Sequence, residues 1–133
     1  MQAYPSRHIS VTINAAASRV YDFASDPANL PLWAAGLGSA VRQSGDEWIA
    51  ESPVGAVRVK FAGKNPYGVL DHEVTLPSGE TVYNPLRIFP NGNGCEAVFT
   101  LFRLPGMTDL QFARDADMVS ADLARLKSLS ENR

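Results

Sequence analysis

The sequence predicts an α+β fold: a curved antiparallel sheet of about seven strands wrapped around a long C-terminal helix, in the order β-α-α-β6-α. Three observations predict it. Met107–Leu129 carries both a helix start signal and a continuous apolar stripe. Residues 39–104 read as strand after strand, separated by short Gly- or Pro-containing turns, which implies an antiparallel meander. One strand and two short helices stand before them. The sheet has an apolar face to bury, and the last helix is the only element long enough to cover it.

Ile9, Val11 and Ile13 alternate with Ser10 and Thr12, the period of a half-buried strand. Asn14-Ala15-Ala16-Ala17-Ser18 ends that strand and opens a helix in which Val20, Phe23 and Ala24 share a face. Asp26-Pro27 reads as an N-cap followed by proline at the first helical position. The helix it starts runs to about Trp33, with Pro31 making it irregular or 3₁₀. Gly36-Leu37-Gly38 closes it. Strands follow at Ser39–Gln43, Glu47–Glu51, Ala56–Ala62, Val69–Leu76, Glu80–Phe89 and Cys95–Leu104. Turns are read at Ser44-Gly45-Asp46, Pro53-Val54-Gly55 and Pro77-Ser78-Gly79. Asn91-Gly92-Asn93-Gly94 is the clearest hairpin signal. Pro105-Gly106 breaks the last strand. Thr108 and Gln111 then stand at the spacing of a capping box, with Met107 and Phe112 placed as its hydrophobic staple. Phe112, Ala116, Val119, Leu123 and Leu126 recur at steps of four and three, so they stack on one helix face. Asp115, Asp117 and Asp122 are read as part of the polar face.

Bulk properties narrow the function. At 133 residues, residues 1–133 are expected to form a single domain. A 45% hydrophobic share supports a core, and a net charge of −2 with no basic block argues against nucleic-acid binding. The one cysteine, Cys95, excludes an intramolecular disulfide framework. No run approaches the roughly 18 apolar residues of a membrane span, and the opening residues lack a secretory h-region, so a cytoplasmic protein is expected. His8, His72 and Cys95 lie too far apart for a metal-ligand motif. Neither a dinucleotide fingerprint nor a P-loop occurs, and no cofactor is expected.

The layout, together with Val11-Thr12-Ile13-Asn14-Ala15 leading into Val20-Tyr21 and Asp26-Pro27…Trp33, resembles the START/Bet v 1-like (SRPBCC) superfamily, of the polyketide cyclase/dehydrase or lipid-transport type. Ala15, Val20, Tyr21, Asp26, Pro27 and Trp33 match its pattern, while Ala16 stands where a proline often follows the alanine. The resemblance implies a helix-grip fold with a space between sheet and helix. It does not imply one activity, because the fold hosts carriers, receptors, cyclases and chaperone activators.

Candidate site residues follow from face and chemistry. Leu70, His72, Val74 and Leu76 alternate on the more apolar face of their strand, so His72 is expected inside, where an imidazole can exchange protons near neutrality. Asp71 and Glu73 then belong to a solvated outer face. Glu80–Phe89 has two mixed faces. With Tyr83 and Arg87 inward, they stand beside His72 and can hold a carboxylate, enolate or phosphate. With Leu86 and Ile88 inward, Arg87 is exposed. A one-residue slip exchanges the two arrangements. Trp33, Trp48 and Phe61 supply aromatic lining. On the helix, Phe112, Ala116 and Val119 are expected as pocket wall, Leu123 and Leu126 as core.

The leading expectation is an intracellular binding or carrier protein for a hydrophobic or amphipathic small molecule: a lipid, a sterol or an aromatic polyketide. Its state is monomer or homodimer. One alternative is a cyclase/dehydratase-type enzyme with His72 as acid/base and Arg87 or Tyr83 stabilising an enolate. Another is a partner-binding module with a filled cavity.

Overall fold

The computed structural model describes residues 2–34, 41–52 and 55–132. The expected closure at Gly36-Leu37-Gly38, the start of the strand at Ser39 and the Pro53-Val54 part of the next turn lie outside them. The described chain runs β1 (Ser6–Ile13), α1 (Ala17–Ala24), a 3₁₀ turn (Pro27–Asn29), α2 (Leu30–Trp33), β2 (Val41–Ser44), β3 (Glu47–Ser52), β4 (Gly55–Phe61), β5 (His72–Thr75), β6 (Thr81–Asn84), β7 (Leu86–Asn91), β8 (Gly94–Phe102) and α3 (Asp109–Glu131).

The described residues form eight strands where seven are read from the sequence, and the extra one has a local cause. Pro85 has no N–H to donate, so the stretch 80–89 cannot continue one ladder. The chain splits into β6, which pairs with β5, and β7, which pairs with β8. Two hydrogen-bonded sheets result, in the orders β1-β8-β7 and β2-β3-β4-β5-β6, antiparallel throughout. The seam between them is laced by residues 68–70. Leu70 N–H donates to the Leu86 carbonyl (2.8 Å) and Ile88 N–H to the Gly68 carbonyl (2.9 Å).

The long helix starts as its sequence dictates. Gln111 N–H donates to Thr108 Oγ1 (3.1 Å), and Thr108 N–H donates back to Gln111 Oε1 (2.9 Å), completing a capping box. Its far end is tied to β1 by Asn14 N–H to Glu131 Oε2 (2.8 Å) and Lys127 Nζ to the Thr12 carbonyl (2.9 Å). Asp26 Oδ1 caps the 3₁₀ turn by accepting from Ala28 N–H (3.0 Å). The β7–β8 hairpin turns on Gly92-Asn93, with positive φ at Gly92.

Burial divides into two clusters. The larger joins β1, β7 and β8 to α1, α2 and α3, with Ile13, Val20, Leu86, Ile88, Leu123 and Leu126 sealed from solvent. The smaller lies on the five-stranded sheet and comprises Ala50, Val57 and Val59. Helix α3 packs chiefly on β1, with further contacts to α1, α2 and β8. The helix is therefore gripped by one sheet and faces the other across a gap. Leu126 has 0% exposure at the centre of the larger cluster. Leu126→Ala is expected to cost about 3 kcal/mol in urea denaturation, the loss of a buried leucine plus its cavity; a loss below about 1 kcal/mol would contradict this packing.

Candidate functional site

The gap between α3 and the five-stranded sheet is a cleft of about 320 Å³. Phe61, His72, Val74, Val82 and Asn84 form its floor, from β4, β5 and β6. Phe99 and Leu101 of β8 close one side, and Leu30, Trp33 and Ala34 of the α2 region another. Helix α3 supplies Asp115, Met118, Val119, Asp122 and Leu123. The walls are mostly apolar with a few polar groups, the usual character of a small-molecule site.

His72 sits in the cleft floor as its strand pattern predicts. Its ring packs against Phe61 (centroids 5.4 Å apart) and Phe99 (6.1 Å). Nδ1 lies 3.0 Å from the Leu70 carbonyl oxygen, which can only accept, so Nδ1 carries the proton. Burial pushes the imidazole below its ordinary 6.5, against the opposing pull of the Leu70 carbonyl and the Asp71 charge. The ring is thus neutral near pH 7 and presents the Nε2 lone pair. Trp33 is 6% exposed, and its Nε1–H has no hydrogen-bond partner among the described residues. An orphaned buried donor costs about 1–3 kcal/mol unless something fills its place. Asp122 is held by Arg125, whose Nε also donates to the Trp33 carbonyl (3.2 Å). Asp115 makes no ion pair or hydrogen bond among the described residues, and burial pushes its carboxyl above the ordinary range.

Arg87 and Tyr83 are not beside His72. Leu86 and Ile88 take the inward positions, at 1% and 2% exposure, and Arg87 turns to the outer face. There it meets Asp71, which is buried rather than solvated. Asp71 accepts from Arg87 Nε (2.8 Å) and an Arg87 terminal nitrogen (2.7 Å), from Leu86 N–H (3.0 Å) and from the Tyr83 hydroxyl (2.5 Å). The Arg87 guanidinium leads in holding the Asp71 carboxyl down at about 2, and Asp71 in turn holds the Tyr83 hydroxyl and Arg87 above their ordinary values. With both partners spent across the sheet, the arrangement of Arg87 or Tyr83 stabilising an enolate at His72 has no geometric basis.

The other expected lining residues divide. Trp33, Phe61 and Val119 line the cleft with His72. Trp48 stands opposite Val59, on the same sheet face but outside the cleft. Phe112 and Ala116, on the apolar helix stripe, pack into the larger core and do not line the cleft. Asp115, Met118 and Asp122, on the flank of that stripe, take the wall instead. Their spacing of three and four was visible in the sequence; the charge of two of them made the row read as solvent-facing. A second depression, about 640 Å³, lies outside between α1 and the loop 63–68. Polar groups around it already serve one another: Asn65 N–H donates to the Tyr21 hydroxyl (3.1 Å) and Lys64 Nζ to Ser25 Oγ (2.6 Å).

Comparison with solved structures places this architecture. XoxI from Bacillus cereus superposes with a TM-score of 0.75 at 11% identity, covering 94% of each chain. The Aha1 dimer from Colwellia psychrerythraea gives 0.74 at 16% identity, covering 96% of each chain. Ara h 8.0201, a Bet v 1 homologue, gives 0.71 at 11% identity, over 98% of this chain and 100% of its own. The fold is Bet v 1-like. No protein-family model matches the sequence, and no curated protein sequence matches it. At these identities the likeness extends to the fold alone. Within this Bet v 1-like fold, no helix among the described residues is long and apolar enough to cross a membrane.

Proposed function

We propose that the protein is a cytoplasmic binding or carrier protein for a small hydrophobic or amphipathic molecule, held in the cleft between α3 and the five-stranded sheet. The observation that carries this reading is the pairing of an apolar cleft of about 320 Å³ with a neutral imidazole in its floor, His72, whose Nε2 has no hydrogen-bond partner among the described residues. Aromatic walls at Trp33, Phe61 and Phe99 suit a ligand with a flat or ring-containing body.

The test uses N-phenyl-1-naphthylamine, an uncharged probe whose fluorescence rises on leaving water. The expected result is saturable binding at micromolar concentration. Val119→Trp, which fills the cleft from the helix side, is expected to weaken it by at least about tenfold while leaving thermal stability close to wild type. No saturable signal, or equal affinity in the variant, would overturn the assignment.

A further inference from the structure

The charges around the cleft are one-sided. Among the described residues two carboxylates line it, Asp115 and Asp122, and no lysine or arginine does. Arg125 neutralises only Asp122. Asp115 is left without a counter-ion among the described residues, in a helix wall it shares with Met118, Val119, Asp122 and Leu123. The neutral His72 ring adds an acceptor at Nε2, not a charge. A carboxylate entering such a site meets a second anion in a region of weakened screening, whereas an ammonium meets its partner. The Trp33 ring lines the same cleft, but its Nε1–H is sealed from solvent and from the cleft alike, so the polar group on offer to a ligand's charge is Asp115.

We infer that the cleft selects an apolar amine: a molecule with a ring-containing body and one protonated nitrogen paired with Asp115. It rejects the matching carboxylate. The position of Asp115 fits this assignment, because burial raises its carboxyl above the ordinary range. An incoming ammonium reverses that effect.

This inference rests on the cleft being a ligand site, and the experiment separates the two. Three probes share one body and differ in the head group: 6-methoxy-2-naphthylmethylamine, 6-methoxy-2-naphthylmethanol and 6-methoxy-2-naphthoate. Each is titrated by calorimetry into the full chain, with the two indole N–H resonances followed by NMR. The amine is expected to bind at least about tenfold more tightly than the carboxylate, with the alcohol between them. On binding, the Trp33 indole N–H is expected to shift while that of Trp48, outside the cleft, stays in place. Asp115→Asn is expected to bring amine and carboxylate to within about threefold of each other. Asp117→Asn removes the same charge from an exposed position and is expected to leave the ratio unchanged. Equal affinities for the three head groups, with N-phenyl-1-naphthylamine still bound, would overturn the amine preference and spare the cleft. So would an equal effect of Asp117→Asn, which would assign the preference to the overall field. Failure of all four compounds to bind would overturn both readings.

Discussion

Gly68→Ala is expected to destabilise the protein by about 4 kcal/mol, the largest effect expected of a methyl group added at any described glycine. Gly68 has a φ of +72°, where L side chains are strained, and a Cβ built there would lie 1.8 Å from the Ile88 carbonyl oxygen and 2.9 Å from its carbonyl carbon. The obstacle is backbone, so no rotamer change relieves it. The chain would have to withdraw from β7, releasing the bond from Ile88 N–H to the Gly68 carbonyl and loosening that from Leu70 N–H to Leu86. Those bonds lace the two sheets. Equilibrium denaturation measures the loss. Gly79→Ala is the control, because Gly79 shares the positive φ (+90°) but has open space around its Cβ direction; it is expected to cost only about 1–2 kcal/mol. Equal losses at the two glycines would show that close packing at Gly68 contributes nothing.

Asp71→Ala is expected to cost about 3 kcal/mol at neutral pH and to flatten the acid limb of the stability curve. Asp71 gathers a guanidinium, a backbone N–H and a phenol at the place where the sheets meet. Its carboxyl is lowered from 3.8 in the unfolded chain to about 2 in the folded one. A depressed carboxyl contributes stability that is full above the unfolded value, so the contribution is present above about pH 4. It is lost as the pH falls through about 2, where the folded protein finally takes up the proton. Wild type should therefore lose stability faster than Asp71→Ala over that window, in urea melts repeated from pH 5 downwards. Parallel curves for the two proteins would refute the assignment.

Both predictions concern features that sequence periodicity passes over. Gly68 sits in a loop-like run, and only the approach of β7 gives it its constraint. Asp71 alternates with His72, and alternation correctly places it on the opposite face. What alternation cannot say is that this outer position is covered by Arg87, whose own orientation depends on which residues of the 80–89 stretch point inward. Pro85 breaks that stretch, so β6 and β7 each set their own register, and Leu86 and Ile88 win the core. His72, Trp33, Phe61 and Val119 thus stand at the cleft as expected, Trp48, Phe112 and Ala116 stand away from it, and of the two arrangements open for Tyr83 and Arg87 the outward one is taken.

Local rules determined the elements of this protein. The Thr108/Gln111 capping box, the Asp26-Pro27 turn, the Gly92-Asn93 hairpin and the alternation of Ile9 and Ile13 act within a few residues, and each forms where its chemistry requires. The α+β class and the gripping of α3 followed from them, because an amphipathic helix and a one-sided sheet must cover each other. Only the tertiary structure decided that the helix leans on β1 and stands away from β4–β6, leaving a cleft between two cores. It alone turned Asp115 into that cleft and left Trp33 Nε1 without a partner among the described residues. Those outcomes depend on how far apart two packed layers come to rest, which the summed volumes of distant side chains fix and no local pattern encodes.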